Sequence, residues 1–266
     1  MMDKKYRAMM LFCLLASLTG CQALSQPDSE RSKQPVSLKS DQSELNIAAS
    51  ALKSGDLEVA GSIYRRFTQT NPEQPAGWLG LADTHFLSGE LETASKAYAT
   101  AQQLAPNNID AYLGQARILL RQRQFTQAIE RYQTILTRFP NHPLALSGLG
   151  VSHDLTGEHA QAQSIYRRGL KQHPDDAALR TNLGLSLALE GKARESINIL
   201  LGVNGITNTL PQERDNLALA YGLLGRDDAA EEILTASQPR DIVQDNLTFY
   251  RYLRQNLEQS DVKALP

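Results

Sequence analysis

Residues 75–108 read PAGWLGLADTHFLSGELETASKAYATAQQLAPNN, and this stretch decides the fold. Gly89 provides the left-handed backbone that ends a first helix. Pro106 stops a second helix, because proline has no backbone N–H and disfavours a helical residue before it. Small side chains at Ala82 and Ala94 let the two helices approach closely. The stretch therefore predicts an antiparallel pair of helices.

The same pattern recurs every 34 residues without an insertion. Six units begin at Asp41, Pro75, Ile109, Pro143, Ala177 and Pro211. The turn position holds Gly55, Gly89, Arg123, Gly157, Gly191 and Gly225. A tyrosine expected to fill the space between one unit and the next occurs as Tyr64, Tyr98, Tyr132 and Tyr166. Because one pair of helices cannot bury its apolar face alone, the units are expected to stack.

The departures from this pattern also carry predictions. Arg123 stands where the turn requires positive φ, at a cost of about 1 kcal/mol. The second helix of the fifth unit is expected to end near Leu201, with a loop running to Leu210. A final helix with apolar residues near helical spacing should close the exposed end of the stack, and residues 261–266 should form a loose tail.

The period and the residues Trp78, Leu81, Ala82, Gly89, Ala94, Tyr98, Ala101 and Pro106 resemble the tetratricopeptide repeat (TPR) family. The resemblance implies an all-α fold, a right-handed superhelix of about six helix-turn-helix repeats. The repeats are expected over residues 41–242, and the capping helix and tail over residues 243–266.

Composition and motifs exclude several classes of function. A net charge of -2 over 266 residues argues against nucleic acid as the main partner. The two cysteines cannot build a disulfide framework, and the five histidines form no ligand cluster, so no metal site is expected. There is no G-x-S-x-G, P-loop or H-E-x-x-H motif. We therefore predict no catalytic residue, no cofactor and no small-molecule substrate.

The N-terminus has the features of an export signal. Three cations within residues 4–7 precede the uncharged stretch at residues 8–17, which is too short to span a bilayer. Leu18-Thr19-Gly20-Cys21 resembles the bacterial lipobox, which implies cleavage between Gly20 and Cys21 and acylation of Cys21 by chains such as palmitate. Residues 1–20 are thus the predicted lipoprotein signal peptide, and the alternative is an ordinary secretory signal with a chance cysteine.

Residues 21–40 are rich in Ser, Gln, Lys and Pro and show no apolar period. We interpret them as the lipidated cysteine and a flexible tether, because they cannot bury enough surface to offset chain entropy. The alternative is that they pack along the first helices. Gln22 stands where aspartate favours inner-membrane retention in enteric bacteria. By resemblance to that rule, we predict an anchor on the periplasmic face of the outer membrane.

A groove lined by the first helix of each repeat is the predicted binding surface. An apolar floor beside two arginines would suit an amphipathic helix or an extended peptide. The candidate residues are Leu79, Asp83, Phe86, Leu113, Arg117, Leu120, Arg121, Val151, Asp154 and Leu155. Two alternatives remain: the leucines serve only to contact the next helix, or the partner binds a convex or terminal surface.

The C-terminal third resembles the TadD family of Tad (Flp) pilus assembly, in the segments NLALAYGLLG (216–225), AAEEIL (229–234) and NLTFYRYLR (246–254). The resemblance implies a TPR lipoprotein scaffold that helps an outer-membrane secretin, or another pilus component, localise or multimerise. Two other families fit the same architecture. They are the type IV pilus pilotins of the PilF/PilW type and the NlpI-type adaptors that dock proteases and peptidoglycan hydrolases.

Overall fold

The computed structural model describes residues 36–201 and 210–263. Within these ranges the chain forms thirteen α-helices and no strand, so the prediction of an all-α fold is confirmed. In chain order the helices are α1 (Val36–Ser54), α2 (Leu57–Thr70), α3 (Pro75–Leu87), α4 (Leu91–Leu104), α5 (Ile109–Arg121), α6 (Phe125–Arg138), α7 (Pro143–Thr156), α8 (His159–Gln172), α9 (Ala177–Leu189), α10 (Ala193–Leu201), α11 (Pro211–Leu223), α12 (Asp227–Thr235) and α13 (Arg240–Lys263).

The predicted 34-residue units correspond to pairs of helices. The first helices of units two to six begin at the predicted residues, from Pro75 to Pro211. Three of these five helices start with proline, whose fixed φ suits the first helical position and whose missing N–H is not needed there. The other two are capped by the side chains of Asn108 and Asp176, which accept hydrogen bonds from backbone N–H groups of the first turn.

The turn inside each pair has the predicted backbone. The five turn glycines have φ between 81° and 86°: Gly55, Gly89, Gly157, Gly191 and Gly225. Arg123 has φ of 62°, as predicted, and within the described ranges it is the one non-glycine residue with positive φ. Its N–H and that of Gln124 bond to the carbonyls of Leu120 and Leu119, so the arginine still closes the end of α5.

Tyrosine and glycine form the contact between successive repeats. The Tyr64 ring lies against Gly80, and the Tyr98 ring lies against Gly114, so that a Cβ on either glycine would overlap the ring. Both tyrosines are buried. The tyrosine of one repeat therefore fills the space left by the missing side chain in the next repeat. Trp78 is half-buried nearby, and its Nε1 donates to the carbonyl oxygen of Pro72 over 2.8 Å.

The chain divides between Ile135 and Leu136, within α6, into two compact units. In the described part of the first unit, buried alanines and Tyr64 and Tyr98 form the centres of the packing between helices. In the second unit, one large apolar cluster runs from Leu185 to Leu253 and includes residues of α9 to α13. Helix α13 contributes Val243, Leu247, Phe249, Tyr250 and Leu253 to that cluster.

Two predicted boundaries are wrong. Helix α1 begins at Val36, so it extends into the predicted tether; Pro35 can precede a helix, and each added residue then forms a helical hydrogen bond. At the other end, α12 stops at Thr235 and α13 begins at Arg240, before the predicted boundary at residue 243. The carbonyl of Pro239 accepts from Val243 and starts α13, which continues through residues 261–263 of the predicted tail.

The predicted end of the fifth unit's second helix is confirmed, because α10 ends at Leu201. Its predicted loop lies outside the described residues, apart from Leu210. The signal sequence, Gly20, Cys21 and most of the tether also lie outside the described residues. Among the helices that are described, none combines the length and the apolar character needed to cross a membrane.

Candidate partner-binding surface

Five side chains of the first unit come together where the groove was predicted, and we call them the Phe86 cluster. Helix α3 provides Asp83 and Phe86, α4 provides Tyr98, and α5 provides Arg117 and Arg121. Asp83 and Arg117 are 34 residues apart, so they occupy equivalent positions on the first helices of adjacent repeats. The repeat period therefore explains why these two charged side chains meet.

The polar side chains of the Phe86 cluster bond to one another. Arg117 Nη2 lies 2.6 Å from Asp83 Oδ1 and donates to the Tyr98 hydroxyl over 2.9 Å. Tyr98 in turn donates to Asp83 Oδ1 over 2.5 Å. Burial, followed by the nearby Asp83 charge, raises the pKa of Tyr98, so the phenol keeps its proton and remains a donor. Asp83 thus neutralises Arg117 within the protein.

The aromatic half of the Phe86 cluster leaves one cation at the surface. The guanidinium carbons of Arg117 and Arg121 lie 4.9 and 5.3 Å from the centre of the Phe86 ring, within range for cation–π attraction. Phe86 is only 3% exposed, because these neighbours cover it. Arg121 is exposed and forms no ion pair with any residue in the described ranges. It is therefore a fixed positive charge that a partner can reach.

The other predicted groove residues divide by exposure. Leu79 is half-buried against the core of the first unit, whereas Leu113 and Leu120 are buried. In the second unit, Val151 and Asp154 are buried and Leu155 is half-buried. The buried side chains of Leu113, Leu120, Val151 and Asp154 pack between helices, whereas Leu79 and Leu155 keep part of their surface open to solvent. Binding by the exposed residues stays a prediction.

A second polar cluster, in the second unit, surrounds the buried carboxylate of Asp154. It accepts hydrogen bonds from Tyr166 over 2.9 Å, Ser186 over 2.6 Å and His159 Nδ1 over 2.8 Å. The repeat pattern predicted Asp154 as a groove residue and did not predict its contact with His159. The available signal was His153-Asp-Leu-Thr-Gly-Glu-His159, in which each histidine stands five residues from an acid across the turn.

A shallow cavity of about 520 Å³ lies on the first unit, and none of the predicted groove residues lines it. Its walls are mainly polar and include Gln115, Gln122, Gln127 and Arg131. Small-molecule sites are lined mostly by apolar side chains, so this cavity does not have their usual character. Within residues 36–201 and 210–263, no three His, Cys, Asp or Glu side chains are grouped so that they could hold a metal ion.

The period, the paired helices and the turn glycines together match one family. A tetratricopeptide repeat family model matches residues 51–118, 94–148 and 119–184, which together span just over half of the chain. The chain belongs to the tetratricopeptide repeat family. TPR proteins stack their repeats into extended surfaces that bind protein partners. The coarse prediction of a TPR scaffold is therefore confirmed.

Solved TPR structures share this fold at low sequence identity. PilF of Pseudomonas aeruginosa is 15% identical, with a TM-score of 0.60 and coverage of 84% of this chain and 98% of PilF. PilW, described as a widely conserved type IV pilus biogenesis factor, is 14% identical, with a TM-score of 0.64 and coverage of 79% and 97%. The Cut9–Hcn1 hetero-tetramer of the APC/C gives 20% identity, a TM-score of 0.64, and coverage of 82% and 42%. None of the curated proteins matches the sequence.

Proposed function

We propose that this TPR protein is a non-catalytic scaffold, anchored by lipid to the periplasmic face of the outer membrane, that assists assembly of a Tad (Flp) pilus. Its partner is a protein, either the outer-membrane secretin or another component of the pilus machine. The observation that carries the binding role is Arg121, an exposed cation held beside Phe86 on the first helix of a repeat. The Leu18–Cys21 sequence supports the anchor.

Arg121 suits recognition because its position is fixed while its charge remains available. The Phe86 ring limits the rotamers of the guanidinium, so less side-chain entropy is lost when a partner carboxylate binds. Arg117, by contrast, is held by Asp83 within the protein. A partner segment with an acidic group and apolar neighbours would pair with Arg121 and cover Leu87, which is 39% exposed.

The TadD resemblance supports the choice of pilus machine, although its residues are mainly internal. In α11 and α13, Leu217, Leu219, Leu247 and Tyr250 are buried in the apolar cluster of the second unit. The segments that resemble TadD thus form the packing between α11 and α13 at the C-terminal end of the array. A type IV pilus role is the second candidate, supported by the similar extent of PilF and PilW, nearly all of whose lengths the chain covers.

One experiment tests the anchor and the binding surface. The full-length protein is tagged, expressed in the bacterium from which it comes, and recovered after mild crosslinking and membrane fractionation. The variants Arg121→Glu and Cys21→Ala are treated in the same way. We expect Arg121→Glu to reduce the recovered secretin and the pilus output about tenfold. Arg168→Glu is the matched control, because Arg168 is an exposed arginine on α8 of the second unit. The Cys21→Ala protein should no longer be recovered in the outer-membrane fraction.

The partners recovered decide between the candidates. A Tad secretin supports the proposal, whereas a type IV pilus secretin supports the second candidate. Periplasmic proteases or peptidoglycan hydrolases would instead indicate an adaptor of cell-wall turnover. Equal secretin recovery with Arg121→Glu and Arg168→Glu would contradict the binding surface. Continued outer-membrane residence of Cys21→Ala would contradict the lipid anchor.

A further inference from the structure

The turn between α7 and α8 carries two histidine–carboxylate pairs, and we call residues 153–159 the repeat-four turn. His153 Nδ1 lies 2.5 Å from Glu158 Oε2, and His159 Nδ1 lies 2.8 Å from Asp154 Oδ1. In the first pair the histidine precedes the turn and the acid follows it, whereas in the second pair the acid precedes the turn and the histidine follows it. They differ in environment, because the Glu158 side chain is 45% exposed whereas the Asp154 side chain has no exposure.

Asp154 connects the fourth repeat to the fifth. Its carboxylate accepts from Tyr166 of α8, in its own repeat, and from Ser186 of α9, in the next repeat. A buried carboxylate is costly unless hydrogen bonds and a cation compensate for lost hydration. His159 is the cationic partner that the described residues supply to Asp154. The charge on His159 thus bears directly on a contact between two repeats.

A second carboxylate, Glu190 of the fifth repeat, is held close to His159, because it accepts a hydrogen bond from Gln163, one helical turn after His159 on α8. Glu190 follows α9 and attracts a positive charge on His159. Glu190 is itself held by Lys192 at 2.8 Å and by Gln163 of α8 at 2.7 Å. The titratable and charged groups around His159 are therefore Asp154 of α7, which it contacts, Tyr166 of α8, which also bonds to Asp154, Glu190 at the end of α9, and Lys192, which pairs with Glu190. The two acids lie in different repeats.

We propose that His159 is a proton-operated link between the fourth and fifth repeats. With a proton on both ring nitrogens, the imidazolium donates to Asp154 and is attracted to Glu190, which holds the end of α9 to the repeat-four turn. Neutral His159 can still donate from Nδ1, but it has lost the charge attraction to both acids. Protonation thus stabilises the junction, and deprotonation weakens it. This link does not depend on the identity of the binding partner.

The direction of the pH dependence follows from the contacts. The hydrogen bond to Asp154 raises the pKa of His159; partial burial opposes this, and the charges of Asp154 and Glu190 add to it. The stabilisation is fully present below the pKa of an unfolded histidine, about 6.5, and is lost as the pH rises through the higher folded pKa. The hydrogen bond from His153 lowers the pKa of Glu158, and the stabilisation from that carboxylate is lost as the pH falls through the lowered pKa.

The test combines urea unfolding with NMR titration of the histidine rings. It uses the full chain in mild detergent between pH 5.5 and 8.5. We expect His159 to titrate above about 6.5 and the urea midpoint to fall as the pH rises. The unfolding equilibrium constant should rise from the lower to the upper pH limit, because the junction is more stable with His159 protonated. His159→Gln should remove this part of the pH dependence.

Matched variants separate the link from a general histidine effect. His85→Gln is the control, because His85 also lies 2.7 Å from an acid five residues away, Glu90, whose side chain is 56% exposed. It should keep the wild-type pH dependence. Glu190→Gln should move the His159 titration to lower pH, a readout that survives if His159→Gln fails to fold. A His159 pKa at or below 6.5, or one unchanged in Glu190→Gln, would overturn the proposal.

Discussion

Single residues show where the repeat pattern is under strain. Arg123 adopts φ of 62° in a turn where the other five repeats use glycine. For an L-residue with a Cβ, this conformation costs roughly 1–2 kcal/mol. The sequence predicted both the position and the conformation, because the turn requires a left-handed residue whatever side chain is present.

Arg123→Gly should stabilise the protein by about 1 kcal/mol, because glycine adopts positive φ without steric cost but loses more backbone freedom on folding. Gly89→Ala is the reverse control, since nothing lies within 4 Å of the added Cβ and only the backbone cost at φ of 81° remains. It should destabilise by about the same amount. Urea midpoints measure both changes, and an unchanged or lower midpoint for Arg123→Gly would show that its turn is unstrained.

Side-chain environments were harder to predict than backbone conformation. Asp83 and Val151 share the ninth position of their repeats, yet the Asp83 side chain is 39% exposed and Val151 is fully buried. The exposure at this position depends on which neighbours cover it, and the spacing of one repeat does not contain that information. The twelfth position, by contrast, is buried in all three repeats, as Phe86, Leu120 and Asp154, so what the repeat did not predict there is the polar side chain of Asp154.

At the scale of the helix, packing depends on a small residue facing a ring. Gly114 lies inside α5, where a Cβ would overlap the Tyr98 ring, and Tyr98 is itself 1% exposed. Helix starts and turns followed from the 34-residue period, because proline, glycine and capping residues act locally. The period also predicted that Tyr98 fills the space between two repeats, but it did not identify Gly114 as the residue that the ring meets there.

Gly114→Ala should destabilise the protein by about 1–3 kcal/mol, because the ring has no space into which it can move without disturbing Asp83 and Arg117. Gly61→Ala is the matched control within α2. Both changes gain up to about 1 kcal/mol of helix propensity, but the Cβ at Gly61 would lie 3.3 Å from Thr84, a contact that a small shift relieves. Thermal unfolding compares the two variants, and equal stabilities would refute the ring-overlap explanation.

For the molecule as a whole, α13 covers the C-terminal end of the repeat array. This helix places five apolar side chains into the cluster of the second unit, and Arg254 donates to the carbonyl of Gly222 over 2.5 Å. Arg251 and Arg254 both pair with Asp227 at the start of α12. The sequence predicted a closing helix but placed its start too late. The apolar spacing identifies the buried part of α13, whereas its first turn depends on the carbonyl of Pro239, which accepts from Val243.

Removing residues 238–266 should unfold the second unit. Each large apolar side chain of α13 contributes about 1.5–3 kcal/mol of burial, and five of them together approach the whole stability of a typical domain. Removing only residues 259–266 is the control, because the last residue packed against the cluster is Leu257. Limited proteolysis within residues 177–235 reports the difference, and equal resistance of both truncations would show that α13 is dispensable.

The hydrogen bond from Trp78 to Pro72 gives the protein a built-in optical reporter. Trp78 is the chain's single tryptophan and is half-buried at the junction between the first two repeats. Its emission therefore reports on the packing around α3 in the first unit, since loss of that packing would expose the indole to water. The five histidines include three in the second unit between residues 153 and 173. Fluorescence and imidazole resonances can thus follow events in the two units of one unlabelled sample independently.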